Sequence, residues 1–155
     1  MYSIRGRSAA TAATADHTIA QLWNPHSTQR IKVISISCYK QGAAGAAGDA
    51  WRLERTSTTG TAGSTVTPDI DAHSIRGAAP VSGVLLYLAA FTVQPTKDAT
   101  DIGIGWVAPA VQGAGITMPL AGGIEIPPGA GLALVQVAAT AWPASEITFT
   151  WLEDW

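Results

Sequence analysis

The sequence predicts an all-β protein, an antiparallel β-sandwich with jelly-roll-like connections and Gly/Pro-rich loops. Apolar and polar residues alternate with a period of two in most of its apolar segments, which is the pattern of strands. These segments are short and are separated by many of the 16 glycines and 9 prolines, as is typical of sandwiches and barrels. With 155 residues, of which 47% are hydrophobic, the chain has the size of one domain and enough apolar residues for a core.

Two segments carry the clearest strand signals. In residues 146–153, Ile147, Phe149 and Trp151 share one face and threonines occupy the other, which predicts a half-buried C-terminal strand. Residues 30–40 are rich in β-branched side chains and place apolar residues on both faces, Ile31 and Val33 on one and Ile34 and Ile36 on the other. This second pattern predicts a central strand that is covered on both sides.

The remaining strands are less regular. Residues 83–91 also fit one face of a helix, but the run is short and continues into Thr92 and Val93, which favours a strand. The further strand candidates, bringing the total to eight or more, are residues 18–23, 49–56, 83–93, 103–107, 123–126 and 132–138. Residues 41–48 are expected to form a flexible hairpin tip and residues 127–131 a tight turn.

The first 17 residues differ from the rest of the chain. They are rich in Ala, Thr and Ser and lack strong alternation, which fits an arm that adds a strand to a neighbouring molecule or an edge strand of the same sandwich. Residues 18–155 are predicted to form a single sandwich domain. The uncharged stretches of the chain are interrupted by Gly and Pro and predict no membrane span, and the N-terminus lacks the apolar core of a secretion signal.

Charge is the unusual feature of the composition. Only 13% of the residues are charged, against about 25% in a typical soluble domain. The net charge of −2 argues against binding to nucleic acid. Residues 77–145 hold only Lys97, Asp98, Asp101 and Glu125, so we expect this part to supply surfaces that are buried between subunits.

The charges are also unevenly placed along the chain. Residues 1–76 carry eight positive and five negative groups, and residues 77–155 carry one positive and six negative groups. Two interpretations are open. The charges neutralise one another within a molecule, or they attract neighbouring subunits head to tail.

Six tryptophans are many for a chain of this length. Trp51 and Trp151 fit inward core positions, whereas others lie at the ends of predicted elements. There an indole can cover the core, contact another subunit or stack on a sugar. The residues predicted to lie at an interface are Trp23, Asn24, Trp106, Trp142 and Trp155.

No motif predicts an enzyme. The sequence has no HExxH, paired-cysteine or GxSxG motif, and nothing assigns a catalytic residue, a metal ligand or a cofactor. Asp69, Asp71 and His73 are spaced like ligands on an extended segment, but a polar exposed segment is the preferred interpretation. Cys38 is the only cysteine and is expected to be a small buried side chain.

Five segments together resemble small all-β virion proteins of tailed bacteriophages, of the head-decoration or capsid-cementing type. The resemblance runs from about residue 22 to the C-terminus, and the segments are residues 22–25 (LWNP), 30–36 (RIKVISI), 54–61 (ERTSTTGT), 122–134 (GGIEIPPGAGLAL) and 147–153 (ITFTWLE). It implies a jelly-roll-like sandwich, commonly trimeric, that binds the capsid shell and clamps neighbouring capsomers, and it implies no catalytic residue.

The expected function is therefore that of a non-enzymatic virion structural protein. It would self-associate, and the resemblance implies a homotrimer. We expect it to bind the major capsid protein or another virion protein, and to bind no nucleic acid, membrane or cofactor. A head, neck or tail location remains open. The alternative is a carbohydrate-binding or receptor-binding sandwich of a phage head or tail, which would use exposed tryptophan and tyrosine.

Overall fold

The fold is a β-sandwich, described here from a computed structural model. It describes residues 1–42, 49–66, 71–72, 82–98, 102, 105–108 and 111–153. Within these residues there is no helix, and so none that is long and apolar enough to cross a membrane. The eleven strands of the described part are β1 (Tyr2–Ser8), β2 (Thr18–Asn24), β3 (Ile31–Lys40), β4 (Asp49–Thr56), β5 (Ser64–Val66), β6 (Asp71–Ala72), β7 (Leu85–Leu88), β8 (Gly105–Ala108), β9 (Gly115–Ile126), β10 (Ala130–Gln136) and β11 (Ser145–Leu152).

The strands form two antiparallel sheets that pack face to face. The five-stranded sheet has the order β6-β1-β11-β3-β9, and the six-stranded sheet has the order β5-β7-β2-β10-β4-β8. One continuous cluster of buried apolar side chains lies between them. The predicted all-β sandwich is confirmed, while its jelly-roll connectivity stays a prediction.

The core is built from the inward side of each alternating strand. In β11, every second residue is buried, and Ile147, Phe149 and Trp151 are each fully inaccessible, as the sequence predicts. Trp51 is also fully buried, on β4. Strand β10 is buried at nearly every position because loops cover its outer side as well. Strand β2 is likewise buried at every position except Trp23, so β2 and β10, and not β3, are covered on both faces.

The prediction for β3 was wrong in one respect. A β-bulge at Ile34 lets Val33 and Ile36 both face the core, since Val33 pairs with Trp151 and Ser35 with Thr150. The other side of β3 is consequently half-exposed and mostly polar rather than covered. An alternating pattern read without the bulge assigns Ile36 to the wrong face.

Several strands have other bounds than the sequence predicts, and β8 and β10 are shifted by one or two residues from the predicted 103–107 and 132–138. Strand β9 begins eight residues before the predicted residue 123, and β7 is a short strand within the predicted residues 83–93. Residues 2–8 form β1, which pairs along its whole length with β11 of the same chain. Most of the predicted hairpin tip, residues 43–48, lies outside the described residues.

Candidate functional site

The outer side of the five-stranded sheet carries a regular set of hydroxyl side chains. Strand register aligns Thr148 of β11 with Ser37 of β3 and Ser37 with Thr117 of β9. The next outward row aligns Thr150 with Ser35. We call this set, completed by Tyr39 on β3, the hydroxyl face. All six side chains are half-exposed or exposed.

The hydroxyl groups of this face are bonded to one another across the strands. The Oγ of Ser37 lies 2.8 Å from the Oγ1 of Thr117, and the phenol oxygen of Tyr39 lies 3.1 Å from the same Oγ1. Tyr39 is 41% exposed, which makes it one of the largest apolar surfaces of the described residues. Its ring therefore adds an apolar element to a set of polar, uncharged side chains, beside which Arg5 of β1 stands opposite Thr148.

Ion pairs mark two margins of the hydroxyl face. Arg7 Nε donates to Glu146 Oε1 at 2.9 Å, and Arg30 Nη1 donates to Glu125 Oε1 at 2.5 Å. Each pair joins a cation of the first half of the chain to an anion of the second half. This favours the interpretation that the two halves neutralise each other within one molecule. Both pairs are solvent-exposed, so each contributes at most about 1 kcal/mol.

The outer side of the six-stranded sheet is largely covered by two segments that follow β4 and β7. The bridge Thr61–Val93 pairs them with each other, and the bridge Thr56–Lys97 pairs the segment after β7 with the end of β4. Gln21 of β2 is fully buried beneath them and donates to Thr56 Oγ1 at 2.6 Å and to the carbonyl of Thr58 at 2.8 Å. This side of the sandwich is therefore an interior layer over much of its area.

A small charged cluster fastens this cover to β4. The carboxylate of Glu54, only 2% exposed, accepts from Arg52 Nε and lies 3.8 Å from Lys97 Nζ. Arg52 also donates to Asp16 at 2.7 Å. Burial lowers the pKa of Arg52, but the ion pairs with Glu54 and Asp16 outweigh it and raise that pKa above its ordinary value. Arg52 therefore stays a cation throughout the pH range in which proteins are handled.

The predicted interface residues occupy different places. Asn24 is fully buried and donates from Nδ2 to the carbonyl of Gln29 at 2.8 Å, which holds the turn between β2 and β3. Trp142 is 1% exposed and donates from Nε1 to Ser145 Oγ at 2.8 Å. Trp23 is half-exposed on β2. The side chains of Trp106 and Trp155 lie outside the described residues.

The structure does not gather the three described residues, Trp23, Asn24 and Trp142, into one surface. Asn24 and Trp142 have roles within the fold and present little area to a partner, so only Trp23 is an accessible candidate among the three that are described. A part for any of them in an interface stays a prediction.

The other candidate sites give less support for a function. Cys38 is buried at 2% exposure, as expected. Asp69 and His73 lie outside the described residues, as does the side chain of Asp71, and the described residues hold no cluster of metal-ligating side chains. An open groove of about 450 Å³ lies beside the end of β1, and its lining is mostly alanine, glycine and serine. Such a lining offers little to orient a substrate.

Comparisons with protein-family models, with curated proteins and with solved structures return no match. The function is therefore inferred from the geometry of this chain and from the resemblance of its segments.

The hydroxyl face was not identified from the sequence, although a signal for it exists. Ser35 and Ser37 alternate with core residues on β3, and Thr148 and Thr150 do so on β11. The alternation shows that these hydroxyls point away from the core. Only the register of β11, β3 and β9 shows that they meet in common rows.

Proposed function

We propose that this chain is a non-enzymatic structural protein that self-associates and binds a larger protein shell through its hydroxyl face. The observation that carries the proposal is that the six exposed or half-exposed side chains of this face, on β11, β3 and β9, are uncharged, with charges around them: Arg5 of β1 opposite Thr148, and the ion pairs at two margins. Depletion of charge at the centre, a polar rim and an exposed tyrosine are features of protein–protein interfaces.

The shell is a phage capsid in this proposal, on the strength of the resemblance to head-decoration proteins. The chain would then act in the virion as a trimer and bind the major capsid protein. Its effect would be one of mass action: a protein that binds the assembled shell, and not the separate subunits, raises the stability of the assembled form.

The test uses a charge introduced at the centre of the face. Ser37→Arg and Thr148→Arg each place an uncompensated cation among the hydroxyls, and we expect both to weaken assembly and shell binding by at least about tenfold. Thr65→Arg is the matched control, because Thr65 is an exposed threonine on β5 of the other sheet.

Two measurements decide the outcome. Light scattering gives the mass of the free protein, and co-sedimentation with expanded phage heads gives shell binding. Loss of assembly or of shell binding in the face variants, with both retained in the Thr65 variant, supports the proposal. A protein that is monomeric at all concentrations and does not sediment with heads overturns it.

Carbohydrate binding is the second candidate, and one observation favours it. Trp23 and Tyr87 lie on adjacent strands of the six-stranded sheet, where Trp23 pairs with Leu85 and Tyr87 with Gln21. Both aromatic side chains are half-exposed. Two such rings on one sheet face can stack on a sugar ring. Retention of the native chain on a glycan array, lost in Trp23→Ala and kept in Ser37→Arg, would favour this candidate.

A further inference from the structure

The outer edge of β9 presents backbone groups that no described strand satisfies. Strand β9 ends the five-stranded sheet and pairs with β3 alone among the described strands. At the start of this pairing, Lys40 N donates to the Ala114 carbonyl and Gly113 N donates to the Lys40 carbonyl, each at 2.9 Å. Lys40 therefore directs both its backbone groups toward β9.

This contact sets the direction of the other backbone groups. Successive residues of an antiparallel strand direct their N–H and C=O groups alternately to either side. Cys38 and Ile36, which have the parity of Lys40, therefore bond to β9, and their partners there are Ile116 and Met118. Gly115 and Thr117, at the alternate positions of β9, direct their backbone groups outward.

Pro119 fits the same alternation. It is the next outward position of β9 after Thr117, opposite Ser35, where its missing N–H removes no bond within the sheet. Beyond it, the four residues 120–123 stand opposite the single residue Ile34, which interrupts the regular edge. The part of the edge that can accept another strand is therefore short and ends at Pro119.

This short edge lacks the usual protection by charge. Natural edge strands commonly carry lysine or other charged side chains that prevent pairing with another chain, but residues 111–124 contain none. Two copies of one antiparallel edge are complementary to each other across a twofold axis, since each donor then faces an acceptor. The edge can therefore pair with the same edge of a second copy of this chain. Because the pairing segment ends at Pro119, the contact joins two copies and goes no further.

We propose that β9 pairs antiparallel with β9 of a second copy through the outward N–H and C=O groups of Gly115 and Thr117. The proposal rests on the proposed self-association and names its contact. Pairing of this kind extends the hydroxyl face, to which Thr117 belongs, across two molecules. The contact is isologous, so it forms dimers or joins trimers in pairs.

The test separates the backbone of Thr117 from its side chain. Thr117→Pro removes an N–H that points away from β3, whereas Thr117→Val keeps the N–H and removes only the hydroxyl. We expect Thr117→Pro to weaken self-association at least about tenfold and Thr117→Val to change it by less than about threefold, by light scattering across a concentration series. Circular dichroism checks that each variant is folded.

Amide hydrogen exchange of the native protein gives a second measurement that needs no variant. The Gly115 and Thr117 amides should exchange at least about tenfold more slowly at high protein concentration than at low, whereas the Ile116 and Met118 amides should be protected at both. Association of the native chain without this protection, or unchanged in Thr117→Pro, overturns the β9 contact and leaves the proposed function standing. A native chain that never associates refutes self-association itself, and the β9 contact with it.

Discussion

Replacing Gln136 by leucine should destabilise the whole domain, although Gln136 lies at the end of β10 and far from the hydroxyl face. Its side chain is 1% exposed. Its amide nitrogen lies within hydrogen-bond distance of four carbonyl oxygens, at 3.1 Å from Ala12, 2.8 Å from Thr14, 3.0 Å from Ala138 and 2.9 Å from Thr140. One amide thus fastens the loop before β2 to the loop after β10.

The magnitude follows from the donors that are lost. The amide has two hydrogens, and each buried acceptor left without a donor costs about 1–3 kcal/mol. Leucine has a similar volume and fills the space but donates nothing, so we expect Gln136→Leu to lower the free energy of unfolding by about 2–5 kcal/mol. For a domain of this size each 1 kcal/mol lowers the melting temperature by about 2–4 °C, and the expected decrease is roughly 4–20 °C.

The assay is urea unfolding followed by circular dichroism, with a thermal melt as a second readout. Gln112→Leu is the matched control, because Gln112 is exposed and, among the described residues, its side chain donates to the carbonyl of Gln41. Its effect should stay within about 0.5 kcal/mol. A loss of less than about 1 kcal/mol for Gln136→Leu, with an unchanged denaturant slope, would refute the view that this amide holds the two loops together.

Two further substitutions test the interior of the six-stranded sheet. Glu54→Gln leaves Arg52 and Lys97 without their buried carboxylate and should lower the free energy of unfolding by about 1–3 kcal/mol. The control Glu146→Gln removes a carboxylate from an exposed pair and should lower it by less than about 1 kcal/mol, both measured by urea unfolding. Gly131→Ala places a Cβ 2.6 Å from Thr56 Oγ1 and should cost about 1–3 kcal/mol, while Gly105→Ala, whose Cβ meets its nearest neighbour at 3.7 Å, should be nearly neutral in a thermal melt. Equal effects within either pair would contradict the packing described here.

The strands themselves could be predicted because the sequence carries their period. The alternation of Ile147, Phe149 and Trp151 is reproduced as full burial of each side chain, and Trp51 is likewise buried. Strand β7 forms in place of the competing helix within residues 83–91. Burial against the opposite sheet depends on the same alternation that the sequence displays, so these predictions needed no long-range information.

The sequence could not predict features that depend on the register between distant strands. The bulge at Ile34 changes which face each apolar residue of β3 occupies, and it is specified by pairing with β11 and β9 rather than by residues 30–40. The same holds for Asn24 and Trp142, whose buried hydrogen bonds depend on loops that fold onto them. Position at the end of an element did not distinguish an interface residue from a structural one.

The low charge of residues 77–145 now has two separate causes. Strands β7 and β10 account for one, since they supply core residues such as Leu86 and Leu134 and since loops bury the outer side of β10 too. An interior strand needs no charge, so the low charge of β7 and β10 says nothing about assembly.

Strand β9 is different, because it lies at the sheet edge with Thr117 exposed and still has Glu125 as its only charged residue. An exposed edge strand without charge favours aggregation of a monomeric protein, whereas in an assembling protein it can form a subunit contact. The charge deficit therefore points to β9, rather than to the whole second half of the chain, as the place to look for a subunit contact.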